Sequence, residues 1–151
     1  MLPVIIDFTN VLLAALLVGA MFGVWLFLNP RDSDAVLYVA LQQQGIRGLD
    51  TTMPALGAAT ILMTIIAAVL GRGDSTRLGL LIAATACLIA AGLITRFLNQ
   101  PINAIVMTWH RDAPPANWMH LRDEWWRWHL LRLTAGLGGL SLLIVATLKR
   151  G

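Results

Sequence analysis

The chain has 151 residues, 58% of them hydrophobic and only 13% charged. A soluble domain carries about 25% charged and 45–50% apolar residues, so this balance excludes an ordinary water-soluble core and calls for lipid as solvent. The length suits one domain, and the net charge of +3 is no argument for nucleic acid, because Lys and Arg in a membrane protein set its topology.

The first apolar run covers 4–28. A cleaved signal peptide needs a basic leading region; Asp7 stands there without any Lys or Arg, so the run is expected to stay as a first spanning helix. Asn29-Pro30 ends it, since proline cannot continue a helix. Gly19 and Gly23 form a small-residue face on which a neighbouring helix, of this chain or of a second copy, can pack closely. The connection 29–53 predicts a helix capped by Ser33, with Asp34 in its first turn. Val36, Val39 and Leu41 lie along one side of it, up to Gly45. A second span follows at 54–70. The turn 71–77 is tight and polar, and its Arg72-Gly73-Asp74 triplet is turn chemistry rather than an adhesion motif.

The third span, 78–98, holds the lone cysteine, Cys87, which reads as a buried inert thiol. In the connection 99–132, Pro101 suits the first turn of a short helix running to about His110. Pro114-Pro115 breaks the chain, and a helix resumes near Asn117 into a fourth span at 133–148. Each span approaches the length needed to cross about 30 Å of hydrocarbon. The expectation is one all-α domain over 1–151: an integral membrane four-helix bundle with short helices capping one face. Both long connections then share that face, and the short turn and both termini share the other. Arg72, Arg77, Lys149 and Arg150 crowd the latter, which points to cytoplasmic termini.

Candidate chemistry gathers at the capped face. Arg122, Trp125, Trp126, His129 and Arg132 recur at spacings of three and four, so they share one helical stripe. Arg96, Asn99 and Asn103 fall within two turns at the end of the third span, at the same membrane level. Charged groups beside hydrocarbon need partners or a polar cavity, and Arg96 and Arg132 both adjoin apolar spans. The tryptophans also fit an interfacial aromatic belt, and Arg111, Arg122 and Arg127 also fit a headgroup-facing role. His110, His120 and His129 open a metal or haem reading, although they lack ligand spacing and the spans themselves hold no histidine.

The string Phe97-Leu-Asn-Gln-Pro-Ile-Asn103, Trp109 after it, and Trp125-Trp-Arg-Trp-His-Leu-Leu-Arg132 opening the last span resemble the anthrone oxygenase-like family of small membrane proteins, most of them bacterial. Gln44-Gly-Ile-Arg47 followed by Met53-Pro54 resembles that family's segment before its second span, with Arg47 where Asn is common. Gly19, Phe22 and Gly23 suit its first span. The resemblance implies oxidation of an activated aryl-ketone methylene with dioxygen as co-substrate and no required cofactor, in a bacterial inner membrane. It implies His129 as base, Arg132 and Arg96 holding the developing anion, Asn103 and Asn99 orienting the substrate, and Gln44 adding a polar contact. Trp109, Arg122 and Trp126 complete the expected substrate site.

Two readings stand side by side. One is an oxidoreductase for a lipophilic aromatic or quinone-like molecule; the other is a non-catalytic membrane subunit or binding module for a small molecule, metal or haem. A transporter is disfavoured, since the spans hold no central acidic residue of the kind that couples ions. The expected partners are the lipid bilayer, a lipophilic small molecule and a second copy of the chain, but no nucleic acid.

Overall fold

A computed structural model describes residues 1–27 and 33–149. The Asn29-Pro30 stop, Leu28, and the charges of Arg31, Asp32 and Arg150 lie outside the described residues. Helix α1 runs Leu2–Phe27, α2 Ala35–Leu49, α3 Thr52–Leu70, α4 Ser75–Ile94, α5 Gln100–Val106 and α6 Trp118–Leu148. A single π turn, Thr95–Asn99, joins α4 to α5 without a break.

Among the described residues four rods are long and apolar enough to cross a membrane: α1, α3, α6, and the continuous Ser75–Val106. The protein is an integral membrane helical bundle. Large apolar side chains such as Phe8, Leu16, Leu62, Ile82 and Leu93 point outwards, as a lipid-facing surface requires. At 1.5 Å per residue the 19 residues of α3 span about 28 Å, just enough for the hydrocarbon. The 31 residues of α6 span about 46 Å, so its N-terminal turns stand beyond the hydrocarbon. There they meet α2 and α5, the two short helices that cap this face.

The bundle core is narrow and built on small residues. Ala14, Val18 and Met21 of α1, Ala84 and Leu88 of α4, and Leu133 and Leu143 of α6 form one apolar cluster. A Cβ on Gly136 would lie 3.1 Å from Met21 Cε, and one on Gly139 would lie 3.1 Å from Leu88 Cγ. These two glycines let α6 approach α1 and α4 closely, since helices in lipid associate through tight packing. Gly19 and Gly23 take no such part: among the described residues nothing lies within 4 Å of a Cβ on either. The small-residue seam within the chain belongs to α6, so the expected α1 face is open there.

Three local expectations change. Asp34, not Ser33, caps α2, its Oδ1 accepting from the Leu37 amide at 2.8 Å. The α2 helix runs on to Leu49, and its buried side is Tyr38, Val39, Gln42 and Gln43, with Val36 exposed. The segment after 98 is no separate helix either. Pro101 has no N–H to give the preceding turn, and the wide π turn absorbs that gap, so one rod continues to Val106 instead of a new helix reaching His110.

The opposite membrane face carries a buried ion pair. Arg77 Nη2 donates to Asp7 Oδ1 at 2.6 Å, both groups being buried. Arg77 is thus the first turn of α4 rather than a loop charge, and Asp74 caps that turn by accepting from the Thr76 and Arg77 amides. A Cβ on Gly71 would stand 2.6 Å from Arg77 Nη1 and 3.0 Å from the Ala67 carbonyl, so a larger residue there would push the guanidinium from its place. One helical turn deeper, Thr64 donates to Asn10 Oδ1 at 2.9 Å. Its chain-mate Arg72 stays exposed.

Candidate functional site

Beneath α2, at the capped face, a cavity of about 320 Å³ opens between α1, α3, the α4–α5 rod and α6. That lies at the small end of ligand pockets, which run roughly 300–1,000 Å³. Most of its wall is apolar, from Leu17, Met21 and Val24 of α1 to Met53 and Ile61 of α3. Its polar groups are few and come from three directions: Gln42 and Asp50 from α2 and its end, Thr95, Arg96, Gln100 and Asn103 from the rod, and Trp125 and Arg132 from α6.

Helix geometry explains the convergence. Arg96, Gln100 and Asn103 are spaced four and three apart, as are Trp125, His129 and Arg132, so each set forms one stripe. The two stripes interlock. Trp125 Nε1 donates to Asn103 Oδ1 at 2.8 Å, and Gln42 Nε2 donates to the same oxygen at 3.4 Å. With its oxygen so occupied, Asn103 keeps its Nδ2 as a donor for an oxygen in the cavity. Asn99 Nδ2 donates to the Trp125 carbonyl at 3.0 Å, pinning the π turn onto α6.

Arg132 is partly buried and, among the described residues, held by neutral neighbours. Its Nε and Nη2 lie 3.2 and 3.0 Å from His129 Nδ1, its Nη1 lies 3.4 Å from Thr95 Oγ1, and its Cζ sits 5.6 Å over the Trp125 ring. A guanidinium can only donate, so His129 Nδ1 is the acceptor and the neutral ring carries its proton on Nε2. That nitrogen lies on the side of the Met21 carbonyl of α1 but makes no hydrogen bond of ordinary geometry. The imidazole is fully buried and stacked against Trp125 and Trp126, at ring distances of 5.2 and 5.4 Å.

Of the residues expected from sequence, Arg96, Asn103 and Arg132 line the cavity. His129 stands one layer behind Arg132, with Trp126 behind it. Asn99 is fully buried in the π turn, outside the lining. Gln44 is exposed on α2 and faces away, because the buried side of that helix passes through positions 38, 42, 46 and 49, and 44 is out of phase. Trp109 packs with Ile102 and Trp126 and offers its carbonyl to Gln43 at 3.0 Å. Arg122 pairs with Asp123 at 2.9 Å and covers the Trp118 ring at 5.0 Å. Beside it, burial lifts the Tyr38 phenol above its ordinary range, the Arg122 charge opposing that lift.

His110 and His120 are exposed while His129 is buried, so the three histidines do not meet. Among the described residues no group of three or more His, Cys, Asp or Glu side chains could hold a metal ion. Sequence reasoning overlooked Gln42, Asp50, Gln100 and the cavity role of Trp125. The 38–42–46–49 stripe on α2, and Gln100 four residues after Arg96, were the available signals.

A family model described as anthrone oxygenase matches residues 44–142, a stretch that contains Asp50, Arg96, Asn103, Trp125 and Arg132. No curated protein and no solved structure matches the chain.

Proposed function

Because the chain belongs to the anthrone oxygenase family, we propose that it oxidises a lipophilic aromatic or quinone-like molecule with dioxygen in the cavity beneath α2. The observation that carries this reading is the pairing of a largely apolar wall with Arg132 and Asn103 as convergent donors. A methylene flanked by aryl rings and conjugated to a ketone is acidic for a C–H bond. Removing its proton leaves an enolate whose negative oxygen needs donors already in position. Arg132 and the Asn103 Nδ2 are those donors, with Arg96 nearer the mouth.

The electron-rich enolate reduces dioxygen and forms a C–O bond. The resulting peroxide anion takes back the abstracted proton to give a hydroperoxide. Loss of its remaining C–H proton with cleavage of the O–O bond releases water, so one methylene and one dioxygen become one ketone and one water. For the proton abstraction we favour Asp50, the carboxylate of the lining. His129 has its Nδ1 committed to Arg132, and its part is to aim the guanidinium rather than to touch substrate. Asn99 similarly supports Trp125, and Gln42 takes the contact expected of Gln44.

The test is oxygen uptake by purified protein in nanodiscs with anthrone, against Arg132→Met and protein-free controls that report spontaneous oxidation. Uptake above both controls, with one quinone formed per dioxygen consumed, is expected. Uptake equal to the controls removes the enzymatic reading. A non-catalytic binding module is the second reading. It is favoured by the fact that the one buried histidine beside the cavity turns neither nitrogen into its lining.

A further inference from the structure

Resting on the reading of this cavity as a substrate site, we infer that its ligand carries a fixed negative charge, a carboxylate or an ionised phenol, on a hydrophobic body. The ion pairs among the described residues are Asp7–Arg77 and Arg122–Asp123. Neither guanidinium of the cavity is in one. Among the described residues Arg96 has only the Gln100 amide oxygen, at 3.3 Å. Arg132 has a neutral imidazole nitrogen, a threonine hydroxyl and an indole face.

Each of these groups compensates a cation in part, and none carries a charge. Asp50 shares the lining but is exposed and pairs with neither arginine. Two arginines against one exposed aspartate leave the cavity net positive beside an apolar wall. A partly buried guanidinium with unused donors is built for a bidentate anion such as a carboxylate. The wall beyond it, Leu17, Met21 and Ile61, accepts only carbon.

The anion has two natural sources at a membrane face: an aromatic acid, or the carboxylate of a free fatty acid. The experiment is equilibrium binding to the protein in neutral-lipid nanodiscs, with no turnover involved. Its probes are anthraquinone-2-carboxylate, the matching carboxamide and palmitate. The carboxylate is expected to bind about tenfold or more tightly than the carboxamide. Arg132→Gln is expected to abolish that preference and Arg132→Lys to keep part of it, which separates lost charge from a lost fold.

Equal binding of carboxylate and carboxamide overturns the inference while leaving the cavity as an aromatic site. Binding of neither overturns both. Palmitate displacing the aromatic acid at equal affinity upholds the charge and assigns the ligand to the acyl-chain class. Failure of the oxygen-uptake test with the carboxylate preference intact leaves this inference standing and removes only the catalytic reading.

Discussion

At the scale of single residues the decisive contact is that between His129 and Arg132. Nδ1 of the imidazole accepts from two guanidinium nitrogens at 3.0 and 3.2 Å, which fixes where the guanidinium points. His129→Gln can restore an acceptor through its amide oxygen, whereas His129→Leu cannot. We expect the Leu variant to lose ligand binding by about tenfold or more, the worth of one hydrogen bond to a charged group, and the Gln variant to keep most of it. Titration calorimetry with a bound aromatic acid checks this, and equal losses in the two variants refute the positioning role. His110→Gln and His120→Gln, both on exposed side chains, should leave binding unchanged. The stripe holding His129 and Arg132 was legible in the sequence because helical spacing is local. Which nitrogen is occupied was not, because that depends on how the two side chains pack against Trp125.

At the scale of elements, α2 is the roof of the cavity, and Gln43 fastens it. Its Nε2 donates to the carbonyls of Val106 and Trp109, both at 3.0 Å, at and just past the end of α5, where the Val106 carbonyl also accepts from the Trp109 amide at 3.2 Å. Gln43→Ala removes both bonds and leaves the Trp109 carbonyl short of a donor, and should loosen the roof by about 1–3 kcal/mol. The expected readout is faster hydrogen exchange across 35–49 with the spans unchanged. Unaltered protection there would show that the Gln43 bonds do not hold α2 in place. The sequence announces a helix in this stretch through the Ser33-Asp34 pair, with Ser33 as the expected cap, and the apolar spacing, but its rotational phase comes from docking. A shift of two positions, from Gln44 to Gln42, turns a side chain by about 200° at 100° per residue. The π turn was likewise hidden, since Pro101 reads equally well as a helix start and as a wide turn.

At the scale of the whole molecule, polar groups occupy both ends of the bundle, and the two ends do different work. The Asp7–Arg77 pair ties α1 to α4 away from the cavity. Arg77→Met removes that ion pair and should destabilise the fold by about 3–5 kcal/mol, read as a lower Tm in detergent, with Asp7→Asn added to it recovering part of the loss. A Tm unchanged by Arg77→Met would mean that the pair adds nothing to stability. The up-and-down arrangement of four spans also predicts that Ser75 and Ala116, both exposed, lie on opposite sides of the bilayer. Cysteine substitutions at these positions, in a Cys87→Ala background, should label from opposite sides of intact cells. Labelling of both from one side would overturn the topology. Arg77 also leaves the charge count that pointed to cytoplasmic termini, since its charge is spent on Asp7.

The sequence by itself determined the all-α class, the bundle and its membrane setting, because hydropathy summed over about 20 residues is a local property. Lipid then leaves helices as the spanning form for such segments, since each backbone polar group must find a partner within the segment. It also put Arg96, Asn103 and Arg132 at one membrane level. The tertiary structure alone decided which polar groups meet. Asp7 and Arg77 lie 70 positions apart, Gln42 and Asn103 lie 61 apart, and Trp125 and Asn103 lie 22 apart. Contacts over such separations depend on rotational phase, helix length and the close approach allowed by Gly136 and Gly139, none of which a stretch of sequence carries on its own.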